Sequence, residues 1–235
     1  MTDLPEAAPK VALLTGANRG IGAAIARRLL AAGWRLSLGV RSGERPAWAP
    51  QDAAQVFAYD ALAGHEDEWV AAAQIRFGRL DAVIANAGAL VEKSVIEAED
   101  ADLDAMLEVN VKAPRRLAQS AWEALRATGE GRVVVVASLS GKRVASPKTA
   151  LYSMSKFAAV ALAHGLRQEG WEAGIRATAV CPGLVDTDMA RGAFPGAEDM
   201  TRPEEVARLV ELALTLPNSA SVAELHVNCR PGELY

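Results

Sequence analysis

The chain has 235 residues, 51% of them hydrophobic and 23% charged, and a formal net charge of −4. That length suits one large domain or two small ones, and the mild acidity argues against nucleic acid or an anionic membrane as partner. No apolar run approaches the roughly 20 residues that span a bilayer. Met1 to Lys10 lacks the basic and apolar sections of a signal peptide, and Cys181 and Cys229 lack metal-ligand spacing. A cytoplasmic protein with reduced thiols and no metal site is expected.

Val11 to Leu14 reads as a strand. The turn Thr15-Gly16-Ala17-Asn18-Arg19-Gly20-Ile21-Gly22 leads from it into Ala23 to Ala32, whose alanines and leucines favour helix. Gly33 caps that helix, and Trp34 to Val40 is a second strand. A polar, proline-containing connection from Arg41 to Asp52 precedes a third strand, Gln55 to Tyr59. Glu66 to Phe77 is helical, and Leu80 to Ala85 is a buried strand ending at Asn86-Ala87-Gly88. A long amphipathic helix is expected from Asp100 to Leu125. Arg132 to Ala137 carries four consecutive valines, the pattern of a central strand buried on both faces. Leu151 to Glu169 is helix, Ile175 to Cys181 strand, and Pro182 to Met200 a loop rich in Gly, Asp and Pro. Pro203 opens another helix, with Glu204 and Glu205 favourable in its first turn. Val222 to Val227 is the seventh strand. Strands alternating with helices predict a single doubly wound α/β domain over 1–235, with a mostly parallel sheet, helices on both faces and residues 1–9 as a flexible extension.

Such sheets bind ligands beyond the carboxyl ends of their strands. Functional residue types gather there: the glycine turn after strand one, Arg41 after strand two, Asp60 after strand three, Asn86-Ala87-Gly88 after strand four, Ser138 after strand five and Pro182-Gly183 after strand six. Glycines let the first turn bend sharply and admit a ligand where a side chain would block it. The helix start beyond offers unpaired N–H groups and a positive dipole end to a phosphate. The turn's spacing matches neither G-x-G-x-x-G nor a P-loop. Tyr152 and Lys156 stand four residues apart, hence on one face of a helix. A phenol with an ordinary pKa of about 10 becomes an acid–base group near neutrality only when something stabilises its phenolate, and a neighbouring ammonium does so. Ser138 supplies a hydroxyl for an oxygen whose charge changes during reaction.

Thr15-Gly16-x-x-x-Gly20-x-Gly22, Asn86-Ala87-Gly88, Asn110, Ser138, Tyr152-x-x-x-Lys156 and Pro182-Gly183 occur in an order that resembles the short-chain dehydrogenases/reductases, in their compact single-domain branch, from about Val11 to Val227. The resemblance implies a Rossmann-type fold and an oxidoreductase acting on a small-molecule carbonyl or alcohol. It also implies roles. Tyr152 exchanges a proton with the substrate oxygen, Ser138 orients that oxygen, and Lys156 lowers the tyrosine's pKa and binds the nicotinamide ribose. Asn110 holds a water that relays protons to solvent. Gly16, Asn18, Gly20, Ile21 and Gly22 seat the pyrophosphate, with Ala87, Gly88, Pro182 and Gly183 completing the cofactor site. Asn86 lines the adenosine ribose, Asp60 bonds the adenine and Thr187 contacts the nicotinamide carboxamide. One departure is the gap from Ser138 to Tyr152, fourteen positions, one more than is common in that family.

An acid at the end of strand two would select NAD. The chain has Gly39-Val40-Arg41-Ser42 there and no acid before Glu44. Arg41, with Arg19 inside the turn, is placed to pair with a 2′-phosphate, so NADP(H) is expected over NAD(H). His65, His164 and His226 are read as structural or surface residues and Cys181 as a small buried hydrophobe. Met189, Phe194 and Met200 would line a lid formed by Leu184 to Met200, and Lys142 and Arg143 are read as solvated loop cations. The resemblance implies a homodimer or homotetramer through the helices at Asp100–Leu125 and Leu151–Glu169. A second reading of the same fold is an NADP(H)-binding regulatory protein without turnover; epimerases and dehydratases of this fold carry a longer C-terminal region than is seen here. The sequence carries no mark of the substrate.

Overall fold

The computed structural model describes residues 8–231, so the expected N-terminal extension lies mostly outside them. The strands are β1 (Val11–Thr15), β2 (Arg35–Val40), β3 (Ala54–Ala58), β4 (Ala82–Ala85), β5 (Arg132–Val136), β6 (Arg176–Pro182) and β7 (Glu224–Val227). The helices are α1 (Gly20–Ala31), α2 (Glu66–Phe77), α3 (Asp100–Leu107), α4 (Ala113–Ala127), α5 (Ala150–Glu169), α6 (Asp188–Ala193) and α7 (Pro203–Thr215). The sheet runs β3-β2-β1-β4-β5-β6-β7, and every neighbouring pair is parallel. No described helix is long and apolar enough to cross a membrane.

Successive residues of a strand point to opposite faces, and here both faces are covered. Val133 and Val135 of β5 enter a core shared with α2, α4 and α5, while Val134 and Val136 enter a second core under α1 and α7. That double burial is why β5 is an unbroken valine run rather than an alternating one. The order reverses between β1 and β4, because the chain builds outward to β3 and then returns across β1. A crevice opens at such a switch point, outside the strands' carboxyl ends.

Two segments differ from the sequence reading. The single helix expected over Asp100 to Leu125 is α3 and α4 joined by a π-helical turn, Glu108–Lys112. None of Val109, Asn110 and Val111 favours helix strongly, and the wider turn holds the Asn110 side chain fully inward. The loop expected from Pro182 to Met200 contains α6, six residues long and too short to show apolar periodicity. Its start is held by a cap, the Thr187 hydroxyl accepting from Ala190 N at 3.3 Å, and by an Arg191–Asp186 ion pair at 2.6 Å.

Candidate active site

The glycine turn packs back on itself. Gly16 has φ +65°, and a Cβ on Gly22 would stand 2.1 Å from the Gly16 carbonyl oxygen, so both positions exclude a side chain. Gly22 is buried beneath the turn, while Gly16, Asn18, Arg19, Gly20 and Ile21 line the crevice. The first turn of α1 carries no acidic residue, and its N-cap, Arg19, makes no side-chain capping bond. Its free N–H groups and positive dipole end suit an anion. Asn86 supports the turn from β4: its Nδ2 donates to the carbonyls of Thr15 at 3.0 Å and Gly16 at 3.2 Å. The backbone N–H groups of Asn86 and Ala87 donate to Thr15 Oγ1 at 2.9 and 2.8 Å. The Asn86 amide, expected beside a ribose, is thus spent on the protein's own backbone.

From this turn a crevice of about 1630 Å³ extends to Tyr152. Arg41, Asp60, Asn86, Ala87, Gly88, Ser138, Tyr152, Lys156, Pro182, Gly183 and Thr187 all line it. Thr187 hangs over the turn, 3.2 Å from where a Cβ on Gly20 would be. Asn110 does not reach the crevice. It lies behind Gly88, with its Oδ1 accepting from Ala89 N at 2.9 Å and its Nδ2 donating to Ala89 O at 3.0 Å and Ser155 Oγ at 2.9 Å. Its amide fastens the segment after β4 to α5. Asn228, Cys229 and Arg230 also line the crevice. Sequence reasoning missed them, although they follow strand seven as the named residues follow strands one to six.

At the far end the chemistry gathers. Ser138 Oγ, at the end of β5, accepts from Ser140 N at 3.0 Å and donates to Pro182 O at 3.4 Å. Loss of hydration pushes the Tyr152 phenol up to about 12, partly opposed by a hydrogen bond with Ser138. Burial draws Lys156 down to about 8. The ammonium donates to Val136 O at 3.1 Å and lies 5.6 Å from the centre of the Tyr152 ring. Lys156 was expected to lower the tyrosine. In this structure desolvation dominates instead: Lys156 is buried, Tyr152 is half-buried in the crevice wall, and the ammonium is aimed at a backbone carbonyl. The phenol is protonated at neutral pH with or without this shift, and the shift makes it a weaker acid until positive charge is brought beside it.

The two arginines expected at a 2′-phosphate are in different states. Arg41 is exposed at the end of β2 and forms no ion pair among the described residues. Arg19 bonds Asp188 of α6 at 2.9 Å, with both side chains about 70% exposed. Asp60 is exposed, one oxygen accepting from Leu62 N at 3.1 Å. Met189 and Phe194 line the crevice, whereas Met200 does not. Lys142 is bound to Glu224 at 3.0 Å, away from the crevice, and Arg143 lines it.

Residues 10–198 match the family model described as short chain dehydrogenase. An agropine synthesis reductase of Rhizobium rhizogenes is 38% identical over 238 residues, covering 96% of this chain and 54% of the relative; the chain spans about half the length of that curated relative. The solved alcohol dehydrogenase of Thermococcus sibiricus, complexed with 5-hydroxy-NADP, superposes with a TM-score of 0.83 at 32% identity, covering 93% of this chain and 95% of that one. A 3-ketoacyl-(acyl-carrier-protein) reductase of Brucella melitensis, complexed with NADH, gives 0.82 at 26% identity over 97% of this chain and 99% of its own.

Proposed function

This chain belongs to the short-chain dehydrogenase/reductase family, and we propose that within it the protein is an NADPH-dependent reductase of a small carbonyl compound. One observation carries the reading: Ser138, Tyr152 and Lys156 line one end of a crevice whose other end holds the glycine turn and Arg41. The residues fit a dinucleotide. The turn leaves a side-chain-free cradle over uncapped N–H groups, and Arg41 is a guanidinium without an ion-pair partner among the described residues, beside a strand end lacking an acid. When bound, NADPH supplies hydride to the carbonyl carbon.

The protein's part is proton handling and placement. The Tyr152 phenol, protonated at neutral pH, donates its proton to the carbonyl oxygen, and the Ser138 hydroxyl donates a hydrogen bond to that same oxygen as its charge grows. Lys156, mostly charged below about pH 8, stabilises the phenolate left behind. Asn110 acts by position, holding Ala89 and α5 together behind the reacting groups. NADPH is favoured over NADH by Arg41, supported by the Thermococcus relative with its NADP analogue. We extend the reading to a homodimer or homotetramer through α4 and α5, since Met154 and Phe157 on α5 are 48% and 45% exposed.

The test is NADPH oxidation across ketones, aldehydes and quinones, with NADH in parallel and Tyr152→Phe as control. Turnover with at least one substrate class is expected, falling about hundredfold or more in the variant. Tight NADPH binding with no turnover of any substrate would replace this reading with that of a cofactor-binding regulatory protein.

A further inference from the structure

Outside the crevice, one cluster gathers residues that nothing in the reductase reading uses. The parallel register sets Cys181 of β6 opposite His226 of β7. Glu224 lies two positions before His226, so all three project to one face of the sheet. The Cys181 Sγ, a Glu224 carboxylate oxygen and an imidazole nitrogen of His226 lie within 4.8 Å of one another. Cys181 is fully buried, and the side chains of Glu224 and His226 are 17% and 18% exposed. We propose that Cys181, Glu224 and His226 form a binding site for a borderline divalent transition-metal ion of the Zn²⁺ type.

The donor set decides the ion class. A thiolate, an imidazole and a carboxylate together select Zn²⁺-like ions over Mg²⁺ or Ca²⁺, which take oxygen ligands. Three protein ligands leave a fourth tetrahedral position for water. The surroundings resemble an outer ligand shell: His164 of α5 bonds Glu224 Oε1 at 2.7 Å, and Lys142 bonds the same carboxylate at 3.0 Å. Such partners orient a ligating carboxylate. His164, His226 and Lys142 together occupy both oxygens of the Glu224 carboxylate and fix its orientation.

Binding has two local costs. The Glu224–His226 hydrogen bond, 2.6 Å long, opens so that both atoms turn to the metal. The Cys181 thiol, pushed up to about 11 chiefly by burial, gives its proton to solvent as the metal–sulfur bond forms. Lys142 opposes the ion by charge, and its flexible stem lets the ammonium withdraw. The site ties the edge strand β7 to β6, immediately before Pro182 and Gly183. This proposal does not depend on the reductase reading.

The experiment uses the full chain after chelator treatment, titrated with Co²⁺ and then Zn²⁺. The expected result is one equivalent of Co²⁺ per chain, with a near-ultraviolet thiolate-to-cobalt charge-transfer band that Zn²⁺ abolishes, and a higher melting temperature with either ion. Cys181→Ala and His226→Gln should each weaken binding at least tenfold, Cys181→Ala should lose the band, and Cys229→Ser should keep both. Lys142→Met should tighten binding several-fold. Metal-free melting curves identify any variant that has lost its fold, in which case Cys181→Ser or Glu224→Gln serves instead. The site is refuted if neither the parent chain nor Lys142→Met develops the band, if the band follows Cys229, or if stoichiometric binding survives both Cys181→Ala and His226→Gln.

Discussion

Lys156→Met separates what the ammonium contributes to chemistry from what it costs the fold. Burial lowers the group from its ordinary 10.5 to about 8, which corresponds to about 3 kcal/mol at about 1.4 kcal/mol per pH unit. Methionine fills much of the same volume without the charge, but it leaves Val136 O without the donor now at 3.1 Å, a loss of about 1 kcal/mol. The net gain near neutral pH is then about 2 kcal/mol, or roughly 4–8 °C for a chain of this size. Turnover should fall about hundredfold or more. The sign with pH follows from the lowered value. Between about 8 and 10.5 the unfolded chain binds more protons than the folded one, so the parent gains stability as pH rises through that window. The variant does not share this rise. Its advantage is full below about pH 8 and gone by 10.5. Thermal melts at equal protomer concentration across this range check it. A variant no more stable than the parent at neutral pH, or one whose advantage persists unchanged at 10.5, would refute the reasoning.

Arg41→Asp should shift the ratio of kcat/KM for NADPH over NADH by at least about tenfold toward NADH, the worth of one charge-assisted contact; an unchanged ratio removes Arg41 from cofactor selection. Asp188→Asn frees Arg19 from an exposed pair worth below about 1 kcal/mol. KM for NADPH should therefore fall by no more than about fivefold with KM for NADH unmoved, whereas a rise would mean that Asp188 helps to build the site. If α6 and its flanks close over bound cofactor, NADPH should slow proteolytic cleavage within 184–200, and an identical cleavage pattern with and without it counts against a lid.

The sequence by itself determined the features that depend on neighbours along the chain. Strand, glycine turn and helix follow from local periodicity and from the exclusion of side chains at Gly16 and Gly22. The valine run of β5 announces burial on both faces, and a spacing of four puts Tyr152 and Lys156 on one side of α5. Because parallel strands end along one edge, their order alone was enough to outline the crevice. The tertiary structure decided whatever depends on distant partners or on loss of water. Arg19 and Asp188 are 169 positions apart, and only the fold over the glycine turn pairs them, so one of two arginines expected at the same phosphate is already engaged. The amide groups of Asn86 and Asn110 are spent on backbone and on Ser155, which spacing does not reveal. The upward shift of the half-buried Tyr152 comes from the protein packed around it, which no spacing along the chain reveals. Cys181, His164 and His226 looked unrelated because sheet register and a covering helix, rather than proximity in the chain, bring them to Glu224.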